Sequence, residues 1–341
     1  MFLHSSILLS VALLLISAAF IYGACEFFVN GVEWVGRKIG VSQNAVGTVL
    51  AAFGTALPES VVTFVAVVFG RDAAAKSIGV GAALGGPLVL ATIAYPVVGA
   101  MLWIMRPQAR GRAIDVNAQR LGRDQSWFLL IFLVKIALGF VAFAIKPWLG
   151  WAFLAAYAVY TWFEVRHEDE QSEGEPEPLK FQPKKSDPNT TLAVVQTLLA
   201  LVAIFAASHV FVNQLAVVGP WLGIPSAVVA LLLSPIATEL PETMNAIIWI
   251  RQGKHRLALA NISGAMMIQA TIPTALGLLF TPWIFDSALA IAAGITAVAV
   301  LGLMILLRRN ALTPARLAAF AIFYLIFALG ILMLWRTGRL I

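Results

Sequence analysis

Charged side chains are scarce in this sequence, since Asp, Glu, Lys and Arg together make up only 12% of its 341 residues. A water-soluble domain carries about a quarter of its residues as charged types. Hydrophobic residues reach 60% here, and the mean hydropathy is +0.89. Such a chain lacks the polar surface that water requires, so we expect lipid to be its solvent. The composition excludes an ordinary soluble enzyme or binding domain.

Other absences narrow the function further. The single cysteine, Cys25, excludes an internal disulfide. The net charge of +6 arises from short loops, and no basic face with interleaved aromatic residues is present, so a nucleic-acid partner is not expected. The apolar runs contain no His-Glu-x-x-His motif, no nucleophilic serine with a histidine base and no aspartate pair. We therefore predict that the protein is not an enzyme.

What the sequence does contain is a series of about ten apolar runs. Each is close to the roughly 20 residues that a helix needs to cross a bilayer. We predict an all-α polytopic membrane protein with spans near 5–28, 43–69, 77–105, 127–145, 148–164, 190–218, 226–250, 257–280, 283–307 and 314–335. The first run has no basic segment before it, so we expect it to be a retained helix and not a cleaved signal peptide.

One polar segment, the linker (residues 164–189), divides the chain into two halves. It is rich in proline and acidic residues and poor in apolar ones, which predicts a disordered cytoplasmic connection. The first half, residues 1–163, then contains spans 1–5, and the second half, residues 190–341, contains spans 6–10.

The basic residues predict how the spans are oriented. The connections 1–2, 3–4, 5–6, 7–8 and 9–10 hold 17 of the 23 lysines and arginines, and the other side of the membrane holds five. Because basic loops stay on the cytoplasmic side, we expect these connections inside and both termini outside. A bacterial inner membrane is the expected location.

The two halves repeat each other at a constant spacing of 183 residues. The repeated segments are Phe28-Val29-Asn30 with Phe211-Val212-Asn213, Gly40-Val41-Ser42 with Gly223-Ile224-Pro225, and Thr55-Ala56-Leu57-Pro58-Glu59 with Thr238-Glu239-Leu240-Pro241-Glu242. Because each half has an odd number of spans, the second half enters the membrane from the opposite side. This predicts two inverted-topology five-helix repeats, an architecture typical of secondary transporters.

The strongest chemical signal is a proline directly before a glutamate in spans 2 and 7, at Pro58-Glu59 and Pro241-Glu242. A proline frees a backbone carbonyl about one turn earlier in the helix. A carboxylate at membrane depth is costly unless it is protonated or paired with a cation. Carboxylates, threonine hydroxyls and freed carbonyls together form an oxygen shell suited to a hard cation.

These motifs resemble those of the sodium/calcium exchanger membrane-region family, a branch of the calcium/cation antiporters. The family's Gly-Thr-Ser-Leu-Pro-Glu-like core is similar to Gly54–Glu59 and Ala237–Glu242. The resemblance implies four central cation sites formed by spans 2, 3, 7 and 8, and a gating pair, spans 1 and 6, that slides across this core. The predicted cation ligands are Glu59, Glu242, Thr55, Thr238, Glu239, Asn261, Gln269 and Ala52.

The sequence also departs from the family pattern, and these departures leave the coupling ion open. The serine that follows threonine in the family is Ala56 in the first half and Glu239 in the second, and the usual polar ligand of span 3 is Leu90. The resemblance implies sodium/calcium exchange, whereas the lost ligands favour proton coupling through carboxylates whose pKa is raised by burial. Glu239 is either a third such proton carrier or a solvated residue at the edge of a cavity.

The predicted function is therefore a secondary active cation antiporter that works by alternating access. Two alternatives remain: a proton-coupled calcium or divalent-cation antiporter, and a degenerate cation-binding membrane protein that does not transport. No cofactor is expected. The expected partners are calcium with sodium or protons, as transported ions, and the lipid bilayer.

Overall fold

The computed structural model describes residues 2–69, 73–109, 111–166, 174–224 and 228–339, and these ranges are helical apart from short connections and the linker. The helices of the first half are α1 (Phe2–Ile39), α2 (Gln43–Ala45, Val46–Ala51, Ala52–Phe64 and Val65–Phe69), α3 (Ala73–Val89, Leu90–Ala94 and Tyr95–Met105), α4 (Ala118–Gly139) and α5 (Leu149–Arg166). Those of the second half are α6 (Thr190–Trp221), α7 (Val229–Leu233, Ser234–Thr238 and Leu240–Arg251), α8 (His255–Phe280), α9 (Ser287–Arg308) and α10 (Pro314–Ala319 and Ala321–Arg336).

Polar residues in the short loops start several of these helices. Asn117, Asn189, Asp286 and Thr313 each accept a hydrogen bond from a backbone N–H in the first turn of α4, α6, α9 and α10, at 2.8–3.3 Å. A side chain at this position satisfies a backbone donor that the helix leaves unpaired. The loops therefore place the helix starts close to where the hydropathy pattern predicts them.

Six of the described helices are long and apolar enough to cross a bilayer by length and composition: Ile7–Ile39, Val80–Met105, Thr190–Trp221, His255–Phe280, Ser287–Arg308 and Pro314–Arg336. The remaining spans are divided into shorter segments or carry charged residues near one end. The prediction of an all-α membrane protein built from two five-helix halves is confirmed.

The first helix is longer than predicted. The hydropathy pattern ends span 1 at residue 28, but α1 continues to Ile39. Its last turns carry Asn30, Glu33 and Trp34, which are buried against other parts of the protein. The helix continues past the apolar run because polar partners in the protein, and not lipid, surround this end.

Helix α8 forms the centre of the bundle. Almost all of its residues are buried, and it packs against α2, α3, α4, α5 and α7. Helices α1 and α6 pack along each other at the edge of the bundle, and most of their apolar residues are exposed on the outer surface, where lipid would lie. The pair that the family resemblance identifies as the gate is thus a peripheral layer beside the central core.

The connections divide into two ends of the bundle. At the end that we call the linker side, Gln43 donates to the carbonyl of Gly174 (2.8 Å), and the N–H of Ile114 donates to the carbonyl of Leu312 (2.8 Å). At the other end, the N–H of Phe285 donates to the carbonyl of Gly139 (3.0 Å). The connections that carry most of the basic residues therefore lie together.

The linker is not disordered over its described part, residues 174–189, and the prediction of disorder is wrong there. The side chain of Asn30 donates to the carbonyls of Glu177 (3.0 Å) and Pro178 (3.2 Å) and accepts from the N–H of Lys180 (2.9 Å). Leu179 is buried against Trp34 and Ala193. Composition missed this docking because it depends on polar partners that α1 and α6 provide.

Candidate cation site

The centre of α7 is broken at the residue predicted to be a ligand. One helical segment ends at Thr238 and the next begins at Leu240, with Glu239 between them at φ −87° and ψ 8°. Pro235 and Pro241 flank the break, and neither can donate a backbone hydrogen bond. The N–H of Glu239 still bonds to the carbonyl of Pro235 (3.1 Å). One carboxylate, Glu239, therefore lies in the break itself, and the other, Glu242, lies in the first turn of the segment that follows it.

The first half reaches an irregular backbone by a different route. Pro58 was predicted to interrupt span 2, but the segment Ala52–Phe64 is a continuous α-helix through this position. The irregular winding comes about two turns earlier, where Val46–Ala51 is π-helical and the N–H of Ala52 reaches back five residues to Gly47. The two halves are therefore not identical at the site, although their sequences are in register.

Wide π-helical turns recur in the helices that were predicted to form the site. They occupy Val46–Ala51 and Val65–Phe69 in α2, Leu90–Ala94 in α3 and Val229–Leu233 in α7. Such turns are frequent at functional sites because they shift backbone carbonyls out of the regular ladder. No residue pattern in the sequence identified them.

Both acidic residues of α7 are buried. Glu239 is 0% exposed and Glu242 is 1% exposed. An amide of α8 contacts each of these positions: Gln269 Nε2 donates to Glu239 Oε1 at 2.5 Å, and Asn261 Nδ2 donates to the Glu242 carbonyl at 3.3 Å. The alternative in which Glu239 lies at a solvated cavity edge is therefore wrong.

The predicted residues of α2 are only partly described. Thr55 and Ala52 are buried, and the Thr55 hydroxyl donates to the carbonyl of Ala51 at 3.1 Å. Thr238 in α7 similarly donates to the carbonyl of Pro235 at 3.1 Å. Each hydroxyl oxygen thereby keeps lone pairs that can accept or bind a cation. Glu59 lies in the helical segment Ala52–Phe64, and its side chain is outside the described part of the structure.

Glycines let α3 approach α7 and α8 closely, and let α2 approach α8 closely. A Cβ atom on Gly86 would lie 2.3 Å from Gln269 Oε1, and one on Gly85 would lie 2.8 Å from Pro235. A Cβ atom on Gly264 of α8 would lie 2.1 Å from the carbonyl oxygen of Thr48. A side chain at any of these three positions would collide with the neighbouring helix, so glycine allows the close approach.

Two further buried polar residues follow Glu242 and Glu59 at helical spacing, and sequence reasoning missed both. Asn245, three residues after Glu242, is buried, and neither of its amide atoms has a hydrogen-bond partner among the described residues. The hydroxyl of Thr63, four residues after Glu59, is also buried and has no hydrogen-bond partner among the described residues. Residues three or four positions apart share a helix face, so this spacing was the available signal. Buried polar atoms without partners are suited to contact an ion.

A buried ion cluster contacts the first turn of α2. Glu164 of α5 contacts Arg123 (2.5 Å) and Arg120 (3.5 Å) of α4 and accepts a hydrogen bond from Asn44 (2.9 Å). Glu164 was assigned to the polar linker, but it lies within α5 and is buried. Its charge is tolerated there because arginines pair with it.

A second buried ion pair joins α1 to the linker-side ends of α7 and α8. Glu33 of α1 accepts a hydrogen bond from Trp249 Nε1 (2.8 Å), and its other oxygen contacts the ammonium group of Lys254. Both charged side chains are nearly inaccessible to water. This contact ties the peripheral layer to the core on one side of the candidate ligands.

An all-helical membrane bundle of two related halves, with buried carboxylates and amides around a broken helix, defines the class of secondary ion transporters. The chain matches the sodium/calcium exchanger protein family over residues 9–166 and 192–337, and it belongs to that family. It is thus a membrane cation exchanger of this type.

Individual relatives are distant but cover most of the chain. The putative antiporter CaxA of Alkalimonas amylolytica is 25% identical over 287 residues, which is 83% of this chain and 84% of the relative. The inner membrane protein YrbG of Escherichia coli K12 is 24% identical over 286 residues, 82% of each chain. The solved structure of the sodium-calcium exchanger NCX_Mj has the same fold, with a TM-score of 0.73, 21% identity, and coverage of 94% of this chain and 98% of that one.

Proposed function

We propose that this protein exchanges sodium for calcium by alternating access at a central site that contains Glu59 and Glu242. The observation that carries the proposal is the broken α7, which buries Glu239 and Glu242 beside the α8 amides Asn261 and Gln269. The other proposed ligands are Thr55, Thr238 and the Ala52 backbone. Carboxylate, amide, hydroxyl and carbonyl oxygens are the ligands that calcium prefers.

The carboxylates also explain why the transport of calcium in one direction would be coupled to the transport of the other cation in the opposite direction. Two bare carboxylates at membrane depth cost several kcal/mol each, so a site without ions should not change its accessible side. One divalent cation or two monovalent cations neutralise Glu59 and Glu242 and remove this cost. The layer formed by α1 and α6 would then move across the core, and exchange without leak follows.

The proposed arrangement in the membrane follows from the basic loops. The linker side would face the cytoplasm of a bacterial cell, with both termini on the outer side of the inner membrane. Residues 1–166 and 190–341 would form the two exchanger repeats, and residues 167–189 a cytoplasmic connection.

Proton coupling is a second candidate, and two residues favour it. Leu90, at the position of a polar ligand in span 3, is fully buried, and its side chain has no atom that could bind a cation. Glu239 is an additional buried carboxylate beside the site. Replacing a neutral ligand set by carboxylates is the change that a proton-coupled exchanger requires, since only carboxylates can release and take up the proton.

The direct test is calcium uptake into proteoliposomes under an imposed sodium gradient and, separately, a proton gradient. We expect uptake that follows the sodium gradient. Glu59→Gln and Glu242→Gln should each abolish it while the protein remains folded. Glu175→Gln is the matched control, since Glu175 is an exposed residue of the linker that pairs with Arg37 at 3.3 Å.

The outcomes of this experiment distinguish the candidate functions. Uptake that follows only the proton gradient replaces sodium by protons as the coupling ion. Calcium binding without flux under either gradient supports a non-transporting cation binder. Wild-type rates in Glu59→Gln or Glu242→Gln would contradict the central carboxylate site.

A further inference from the structure

Lys135 of α4 is buried in the centre of the protein. It is 0% exposed, and its ammonium group donates to the carbonyls of Ala83 (2.6 Å) and Gln269 (3.3 Å). The aromatic rings of Phe132 and Trp283 lie 5.4 and 5.9 Å from it. Carbonyl oxygens and aromatic faces are groups that replace the hydration shell of a cation.

The position of this ammonium group relates it to the proposed site. Its two carbonyl partners belong to α3 and α8, two of the helices that border the site. Gln269 contacts Lys135 through its backbone carbonyl and Glu239 through its side chain. A single residue therefore connects the buried positive charge with the carboxylate in the break of α7.

The internal repeat shows that neither Glu239 nor Lys135 has a charged counterpart in the other half. The position equivalent to Glu239 in the first half is Ala56. Helix α9, the counterpart of α4, carries no charged residue before Arg308. At the compared positions the second half has a carboxylate, Glu239, that the first half lacks, and the apolar part of α4 has a buried cation, Lys135, that α9 lacks, and Gln269 contacts both.

The charges of the site can then be counted. Glu59, Glu242 and Glu239 contribute three negative charges when all are ionised, and Lys135 contributes one positive charge. The remaining two negative charges are balanced by one divalent cation or by two monovalent cations. Without Lys135, one more monovalent cation is needed to reach the same balance.

We propose that the Lys135 ammonium group permanently occupies a monovalent-cation position between α3 and α8 and offsets the charge of Glu239. This inference rests on the proposed cation site. Lys135 is thus a specificity-determining residue, because it sets how many free monovalent cations the site takes. A tethered cation is bound in every conformation, so it is never transported.

The test counts the sodium ions that bind to the purified protein in detergent without calcium. Binding of ²²Na⁺ is measured at pH 9, where protons compete least for the carboxylates. We expect Lys135→Met to bind one more sodium ion than the wild type. The double variant Lys135→Met/Glu239→Ala, which removes both added charges, should bind the wild-type number.

Lys146→Met is the matched control for the loss of a buried lysine. Lys146 donates to the carbonyls of Val141 (2.6 Å), Pro282 (2.9 Å) and Trp283 (2.8 Å) in the connections away from the linker side. Its loss should lower stability without changing the sodium count.

The outcomes separate this inference from the proposed function. An unchanged sodium count in Lys135→Met, with a monodisperse protein, overturns the tethered-cation role. So does an additional ion that persists in the double variant, since the site would then not depend on Glu239. If the wild type shows no calcium flux but Lys135→Met gains a sodium ion, the exchange function fails and the tethered cation stands.

Discussion

The contact between Gly264 and the π-helical turn of α2 gives a sharp prediction about how the site is held. Gly264→Ala places a methyl group 2.1 Å from the Thr48 carbonyl oxygen and 2.6 Å from two further backbone atoms of Thr48. An ordinary carbon–oxygen contact is about 3.3 Å or longer. Because the obstacle is backbone and not a flexible side chain, α8 and α2 must separate by roughly 1 Å.

The cost of this separation can be estimated in two parts. Adding volume to a well-packed core destabilises a protein by about 1–3 kcal/mol. Alanine regains about 0.5–1 kcal/mol relative to glycine within a helix, which leaves a net loss of up to about 2.5 kcal/mol. A displacement of about 1 Å between reacting groups can reduce a rate about a hundredfold, and α8 and α2 both carry proposed ligands. We therefore expect calcium uptake to fall at least about tenfold.

The measurements are the melting temperature in detergent and the initial rate of calcium uptake in proteoliposomes. Gly294→Ala in α9 is the matched control, because a Cβ atom there meets nothing within 4 Å. It should raise or leave unchanged the melting temperature and leave uptake at the wild-type rate. If Gly264→Ala behaves as Gly294→Ala does, the close approach of α8 to α2 is wrong.

The contacts of the linker side lead to two further predictions. Lys254→Met leaves Glu33 buried without its cation and should reduce the free energy of unfolding, measured by thermal unfolding, by about 3 kcal/mol. The control Arg37→Met removes an exposed ion pair and should change it by less than about 1 kcal/mol. Equal effects of the two substitutions would refute the difference in burial. Leu179→Asp puts a charge into a buried apolar contact and should speed tryptic cleavage of the linker several-fold. The control Ser186→Asp adds the same charge on the exposed surface and should not speed cleavage. Equal cleavage rates would show that the linker is not docked.

The buried acids of this protein differ in the side chains that contact them. Glu164 and Glu33 form ion pairs with arginine or lysine from neighbouring elements. The Glu239 carboxylate accepts a hydrogen bond from the Gln269 amide, and the backbone carbonyl of Glu242 accepts one from Asn261. Carboxylate and amide oxygens are ligands that calcium prefers. The proposed cation site is therefore placed at the α7 break, where acids and amides lie together, and not at the other buried acids.

The amino-acid sequence by itself determined that the protein lies in lipid, which segments are helical, and that the chain consists of two related halves. Hydropathy determines which segments enter lipid, since the transfer of about 20 apolar residues outweighs every local preference. The spacing of 183 residues between Glu59 and Glu242 indicates an inverted repeat, and a proline before each carboxylate indicates a cation site. These features are local or periodic, so they are readable without knowing which helices meet.

Only the tertiary structure decided which buried polar groups face one another. The docking of the linker on Asn30, the placement of Glu164 inside α5 and the contact of Lys135 with Gln269 each join residues far apart in sequence. The π-helical turns and the break at Glu239 likewise depend on how α8 packs against α2 and α7. A polar residue in lipid must find a partner inside the protein, and only the packing of the helices supplies it.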